Sequence, residues 1–223
     1  EESHQKIYAS FSLLSMLTPP GPLYPSLGDN GGPLADPILQ LGIKMLSHPM
    51  CTELERARML QKDADPEILP RDFCSTKAGF LCSRSSYRHD GNYILMSAKT
   101  GCGCSGHNHM DLLSLFLTFR GQAFIGEPYT DKLYHSIRMS SELRGYMYNM
   151  TSHNTVLAHG EPVLPDCVYA NKWGVYRPDT PVTEYWTDPK GIYVKAHHDA
   201  YTYCRHTRRI LFHRTRGLII RDE

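Results

Sequence analysis

Beyond Pro70 the chain is a succession of short apolar segments separated by turn residues, with no helical periodicity between them. That feature leaves few architectures open. Consecutive strands without a crossover helix pair antiparallel, and many of them together make a sandwich or barrel. The segments are Gly79–Tyr87, Asn92–Lys99, Leu112–Phe119, Gln122–Gly126, Asn154–His159, Gly191–His198, Arg208–Arg214 and Gly217–Glu223. Between the first two, Arg88–Asn92 carries Asp90-Gly91, a dipeptide suited to a type I′ hairpin turn. In the basic stretch Arg205–Arg214, alternation puts Thr207, Arg209, Leu211 and His213 on one side. Arg208, Ile210, Phe212 and Arg214 fall on the other, and a solvated charged face is expected, not a nucleic-acid patch.

Before Pro70 the signals are helical. Ile7–Leu17 is apolar at helical spacings and stops at Pro19-Pro20. Gly21–Pro33 is rich in glycine and proline and reads as a loop. Asp36 offers an N-cap and Pro37 a first-turn residue for a helix over Ile38–Ser47. Thr52 and Glu55 form a capping-box pattern for Leu54–Lys62. The expected division is a helical unit over 1–70 and a β unit over 71–223. A chain of 223 residues can bury a real core. With 24 basic and 23 acidic residues, its net charge of +1 points to no nucleic-acid partner. No apolar run approaches the ~20 residues of a membrane helix, so no membrane partner is expected either. Seven scattered cysteines, with Cys102 and Cys104 spaced unlike a zinc knuckle or redox pair, read as buried or free thiols.

Twelve histidines make metal and acid–base chemistry worth tracing. His107 and His109 stand two residues apart at the expected entrance of the Leu112–Phe119 strand, where they would project to the same side. Asp111 falls on that side too, placed to orient an imidazole. Glu127 follows the short strand Gln122–Gly126, and His153 opens Asn154–His159. His109, Glu127 and His153 thus form a two-histidine, one-carboxylate set drawn from three strands, a donor chemistry that suits zinc. The residues alone leave a second possibility open, namely core-edge histidines with ordinary hydrogen bonds.

The stretch GHNHMDLLSLFLTFRGQAFIGEPY (Gly106–Tyr129), followed by Arg144 and SHNTVLAHG (Ser152–Gly160), resembles the C-terminal part of the heparinase II/III-like polysaccharide lyases. That family carries G-H-x-H-x-D, then D-P-G, then R and H-N-T-V. Pro25–Gly32 is similar to a P-x-x-G-D loop at the end of the family's helical domain, and Arg205–Glu223 to its later strands. The resemblance implies the C-terminal end of an incomplete (α/α) toroid followed by an antiparallel β-sandwich. It also implies β-elimination of uronic-acid-containing polysaccharides, an acidic polysaccharide as partner, a structural zinc ion and a periplasmic or secreted location. It gives the catalytic role to His107 and zinc binding to His109 and His153. Glu127, in Glu127-Pro128-Tyr129, stands where the family usually has the aspartate of D-P-G. The family's catalytic tyrosine and its uronate-facing Asn or His lie upstream in the toroid, so the chain is read as a fragment carrying part of an active site.

Arg138 and Arg144 are candidates to meet sulfate or carboxylate groups, since guanidinium matches those planar anions. Trp173, Trp186, Tyr146, Tyr148, Tyr169, Tyr176 and Tyr185 fall in loop-like stretches and read as sandwich core more readily than as sugar-stacking rings. Two rival functions remain: a non-catalytic sandwich that binds acidic glycans, and a zinc hydrolase with His107 as its base.

Overall fold

The structure is a computed structural model and describes residues 2–20, 35–100, 103–104, 109–127, 146, 149–158, 176–177 and 179–223. Helices come first: α1 (Glu2–Leu17), α2 (Ala35–Leu46) and α3 (Pro49–Leu60). The strands are β1 (Asp72–Ser75), β2 (Phe80–Arg84), β3 (Tyr93–Ser97), β4 (Gly103–Cys104), β5 (Leu115–Phe119), β6 (Gln122–Ile125), β7 (Tyr176–Arg177), β8 (Val182–Asp188), β9 (Gly191–His198), β10 (His206–His213) and β11 (Gly217–Asp222). They form a five-stranded sheet in the order β1-β2-β3-β5-β6, a four-stranded sheet in the order β11-β10-β9-β8, and a short β4-β7 pair. Every pairing is antiparallel.

Strand β3 is buried along its whole length because both of its faces are covered. Ile94 and Met96, with Leu81, Leu115 and Leu117, pack against Ile192, Val194, Ile210 and Phe212 of the four-stranded sheet. Tyr93 and Leu95, with Cys82 and Phe116, turn the other way and meet Leu17 at the end of α1. The five-stranded sheet is therefore the middle layer, which explains why β3 and β5 read as near-continuous apolar runs. The two sheets form the sandwich. The close approach of β9 to β10 requires Gly191, since a Cβ there would lie 1.8 Å from the Phe212 carbonyl oxygen.

Helix α1 has no basic residue in its last turn. The sheet supplies the missing donors. Arg84, fully buried, donates from Nη1 to the Thr18 carbonyl at 2.6 Å and from Nη2 to the Met16 carbonyl. Tyr93 Oη donates to the Leu17 carbonyl at 2.7 Å. The orphan carbonyls of a helix end are thus capped by strand side chains.

Several expectations need correcting. Helix α3 starts at Pro49 with His48 as N-cap, and Thr52 lies inside it, donating its hydroxyl to the His48 carbonyl at 3.0 Å. The β2–β3 hairpin exists, yet its connection runs from Ser85 to Asn92 and Gly91 does not take a positive φ, so there is no type I′ turn. The third segment is a strand only from Leu115, because Asp111–Ser114 forms a turn with Leu113 at φ 57°. Residues 154–158 are not a strand. Tyr185 and Trp186 lie on β8, and both are exposed, which removes them from the core. The Arg208–Arg214 alternation is observed, but Arg208 and Arg214 point inward and are buried, so only the opposite face is solvated. Among the described cysteines, Cys51 and Cys82 are buried free thiols, Cys74 is half-buried and Cys204 is exposed. The expected loop at Gly21–Pro33 lies outside the described residues.

Candidate functional site

Glu127 lies just past β6, and His153 closes a 3-10 turn over Met150–Ser152. The Glu127 carboxylate meets His153 Nδ1 directly, and its other oxygen accepts from Asn154 Nδ2 at 2.8 Å. His109, in the loop before β5, places its ring centroid 5.4 Å from that of His153. All three side chains are almost fully buried. The structure thus brings His109, Glu127 and His153 into one cluster.

Asn154 explains how this cluster is held in register with the sheet. Its side-chain amide accepts from the Leu115 N–H at 2.7 Å and donates to the Leu115 carbonyl at 2.8 Å. A neighbouring strand would make the same two bonds, so one side chain substitutes for a strand here. The carbonyls that follow are taken by side chains of the other sheet and its flanking loop. Arg208 Nη1 donates to the Asn154 carbonyl at 2.8 Å, Tyr201 Oη to Val156 at 2.6 Å and Tyr203 Oη to Ala158 at 3.0 Å. With every second carbonyl held by a side chain, the segment is fixed without a ladder.

Behind Arg208 lies a continuous polar chain. Arg208 grips Asp222 with two bonds, 2.7 and 3.0 Å, and also donates to the Leu113 carbonyl at 2.8 Å. The Ala200 N–H donates to His198 Nδ1 at 3.3 Å, so the His198 proton sits on Nε2 and is donated to His206 Nδ1 at 3.0 Å. His206 then donates from Nε2 to Asp222 at 2.8 Å. Burial alone pushes the Asp222 carboxyl up, but the bonds from His206 and Arg208 outweigh it and hold the carboxyl at about 2. These four residues were missed as site elements in the sequence. Their only local signal was the alternation that puts Arg208 on the same side as Ile210 and Phe212.

Within the cluster, His153 Nε2 is buried and has no hydrogen-bond partner among the described residues. Glu127 holds the opposite side of that ring, an arrangement that orients an imidazole toward a ligand. No group of three His, Cys, Asp or Glu donors among the described residues converges on one point. Asp111 is buried, but its carboxylate accepts from Ser97 Oγ at 3.3 Å and pairs with Lys99 at 3.4 Å. His107, Arg138, Arg144, Tyr148, Tyr169 and Trp173 lie outside the described residues.

An antiparallel sandwich with a buried histidine–carboxylate cluster at the mouth of one sheet defines the class. The profile of the heparinase II/III-like C-terminal family matches residues 76–223. The chain belongs to that family. Solved structures agree in fold. A heparinase III structure superposes with a TM-score of 0.69 at 12% identity, over 98% of this chain and 34% of its own. A second heparinase III structure gives 0.68 at 14%, over 93% and 30%. A heparan sulfate lyase from Pedobacter heparinus gives 0.68 at 12%, over 93% and 30%. At such identities the likeness is one of fold, and the chain spans about a third of the length of these structures. No curated protein matches the chain.

Proposed function

We propose that the protein carrying this chain is a polysaccharide lyase that cleaves uronic-acid-containing polysaccharides by β-elimination, with heparan-sulfate-type glycosaminoglycan as the first substrate to try. The observation that carries this reading is family membership over residues 76–223, together with the gathering of His109, Glu127 and His153 next in sequence to His107. The heparan sulfate lyase among the structural neighbours supports the substrate class. Elimination removes a proton beside a carboxylate and builds negative charge there, so hydrogen-donating and cationic groups must face it. We assign proton transfer to His107 and anion contacts to Arg138 and Arg144. The helices would be the end of an (α/α) toroid, and the enzyme would act in the periplasm or outside the cell. Among the described residues no helix is long and apolar enough to cross a membrane.

Elimination leaves a C4=C5 double bond conjugated to the carboxylate, which absorbs in the near ultraviolet. With heparan sulfate, heparin, chondroitin sulfate and hyaluronate as substrates, the complete protein is expected to raise that absorbance on at least one. His107→Ala should slow the rise by about 10²–10⁴-fold without unfolding the protein. A flat trace across the whole series, from folded protein, sinks the lyase and leaves a glycan-binding sandwich.

We further propose His109, Glu127 and His153 as zinc residues. Histidine nitrogen and carboxylate oxygen suit that metal, and the three buried side chains lie side by side, with Glu127 against His153 and the His109 ring 5.4 Å from that of His153. Bound zinc would tie the loop before β5, the end of β6 and the His153 turn together. Elemental analysis of the complete protein should find about one zinc per chain, lost in His153→Ala. Folded, metal-free wild type would remove the metal from this picture.

A further inference from the structure

The outer face of the four-stranded sheet carries side chains that the cluster above does not use. Register sets Trp186 opposite Tyr193, Tyr193 opposite Leu211, and Leu211 opposite Ile219, an apolar row across all four strands. At ~4.8 Å between strands the row is roughly 14 Å long. Trp186 is 45% exposed and Ile219 64%. The Trp186 and Tyr193 rings lie within 18° of parallel with centroids 5.7 Å apart, so Tyr193 fixes the plane of a ring that stays half open. Two residues along each strand, on the same face, Lys195 stands opposite Arg209 and Arg209 opposite Arg221. Glu184 closes that row at the β8 end. Glu223 pairs with both Arg209 and Arg221, so two guanidiniums share one carboxylate, and the Arg221 side chain remains 70% exposed.

We propose that this face is a second binding surface for an acidic polysaccharide, away from the His109–Glu127–His153 cluster. The C–H face of a pyranose stacks on Trp186, while sulfate or carboxylate groups meet Lys195, Arg209 and Arg221. Polarised sugar C–H bonds are attracted to the negative face of the aromatic ring. Guanidinium forks match planar oxyanions. Because Tyr193 already orders the indole, little freedom is lost on binding. A second copy of the chain fits this face poorly. The apolar row is one residue wide and edged by charge, whereas a stable protein interface takes about 800 Å² from each partner. The polymer class rests on the lyase reading, but the surface itself needs no catalysis.

The test is gel retardation of the complete protein by heparin and by hyaluronate, with uncharged dextran as control. Trp186→Ala and the pair Arg209→Ser/Arg221→Ser should each weaken retention by heparin about five- to tenfold. Added salt should weaken it in the wild type, and dextran should retain nothing. Near-ultraviolet product formation from a heparin tetrasaccharide should be unchanged in both variants. Retention equal to wild type in both variants overturns the surface, as does a Trp186 shielded from acrylamide in the complete protein. The two readings fail separately. Retention lost in the variants with no product from the wild type keeps the surface and removes the lyase. Product formed with retention unchanged in the variants does the reverse.

Discussion

Replacing Arg84 by methionine should destabilise the protein by about 3–5 kcal/mol, read as a lowered urea midpoint. The side chain has no exposed surface, and the Tyr87 and Tyr93 rings lie 4.2 and 4.9 Å from its guanidinium carbon. Its hydrogen bonds go to the Thr18 and Met16 carbonyls of the α1 end and to the Arg71 carbonyl at 3.3 Å, so it joins helix, strand and loop. Methionine fills the volume and leaves those acceptors buried without a donor. Lysine keeps the charge but presents it as a point, not a fork, and should recover only part of the loss. The damage should also be local. Amides of α1 should exchange much faster while those of β9 and β10 stay protected, because the second sheet does not depend on this junction. A loss below about 1 kcal/mol would mean that water takes over the carbonyls.

The same residue shows where sequence reasoning reaches its limit. Strands β9 and β11 and the alternation of β10 were legible, because one face meets a core and the other meets water, but which face of β10 turns inward was not. An arginine on the inward side carries no local mark of its partner. Arg84 is bonded to Thr18, Arg208 to Asn154, and Arg214 to the Arg84 carbonyl at 3.0 Å, all far apart in sequence. The expected strand over Asn154–His159 failed for a related reason. Its β-branched and apolar residues fit a strand, but its carbonyls are claimed by Arg208, Tyr201 and Tyr203 from some fifty residues downstream. The expected type I′ turn at Asp90-Gly91 gave way to a longer connection in which Asn92 Nδ2 donates to the Arg214 carbonyl at 2.7 Å. A tertiary bond outweighed a local turn preference.

The candidate cluster was more legible than its support. His109, Glu127 and His153 each follow or precede an apolar segment, and segment ends gather at sandwich mouths. What the sequence did not show is that Asn154 takes the place of a strand against Leu115, or that β10 and β11 brace it from behind.

That brace sets the second large effect. Asp222→Asn should cost about 3–5 kcal/mol at neutral pH, because it leaves the buried Arg208 guanidinium without its carboxylate. The sign of the pH dependence follows from the Asp222 carboxyl, held at about 2 against 3.8 for the free group. A carboxyl depressed in the folded state contributes stability that is present above about pH 4 and is lost as pH falls toward 2. The gap between wild type and Asp222→Asn should therefore narrow over that window. Arg208→Leu should also destabilise, since it leaves the Asp222 carboxylate and the Leu113 and Asn154 carbonyls without their guanidinium. The double variant should sit close to Arg208→Leu, with a coupling of more than about 1.5 kcal/mol. Arg208→Leu releases the Asn154 carbonyl, so the Leu115 amide, which donates to Asn154 Oδ1, should exchange faster in that variant. Additive losses with an unchanged Leu115 amide would mean that Asn154 holds its place without Arg208.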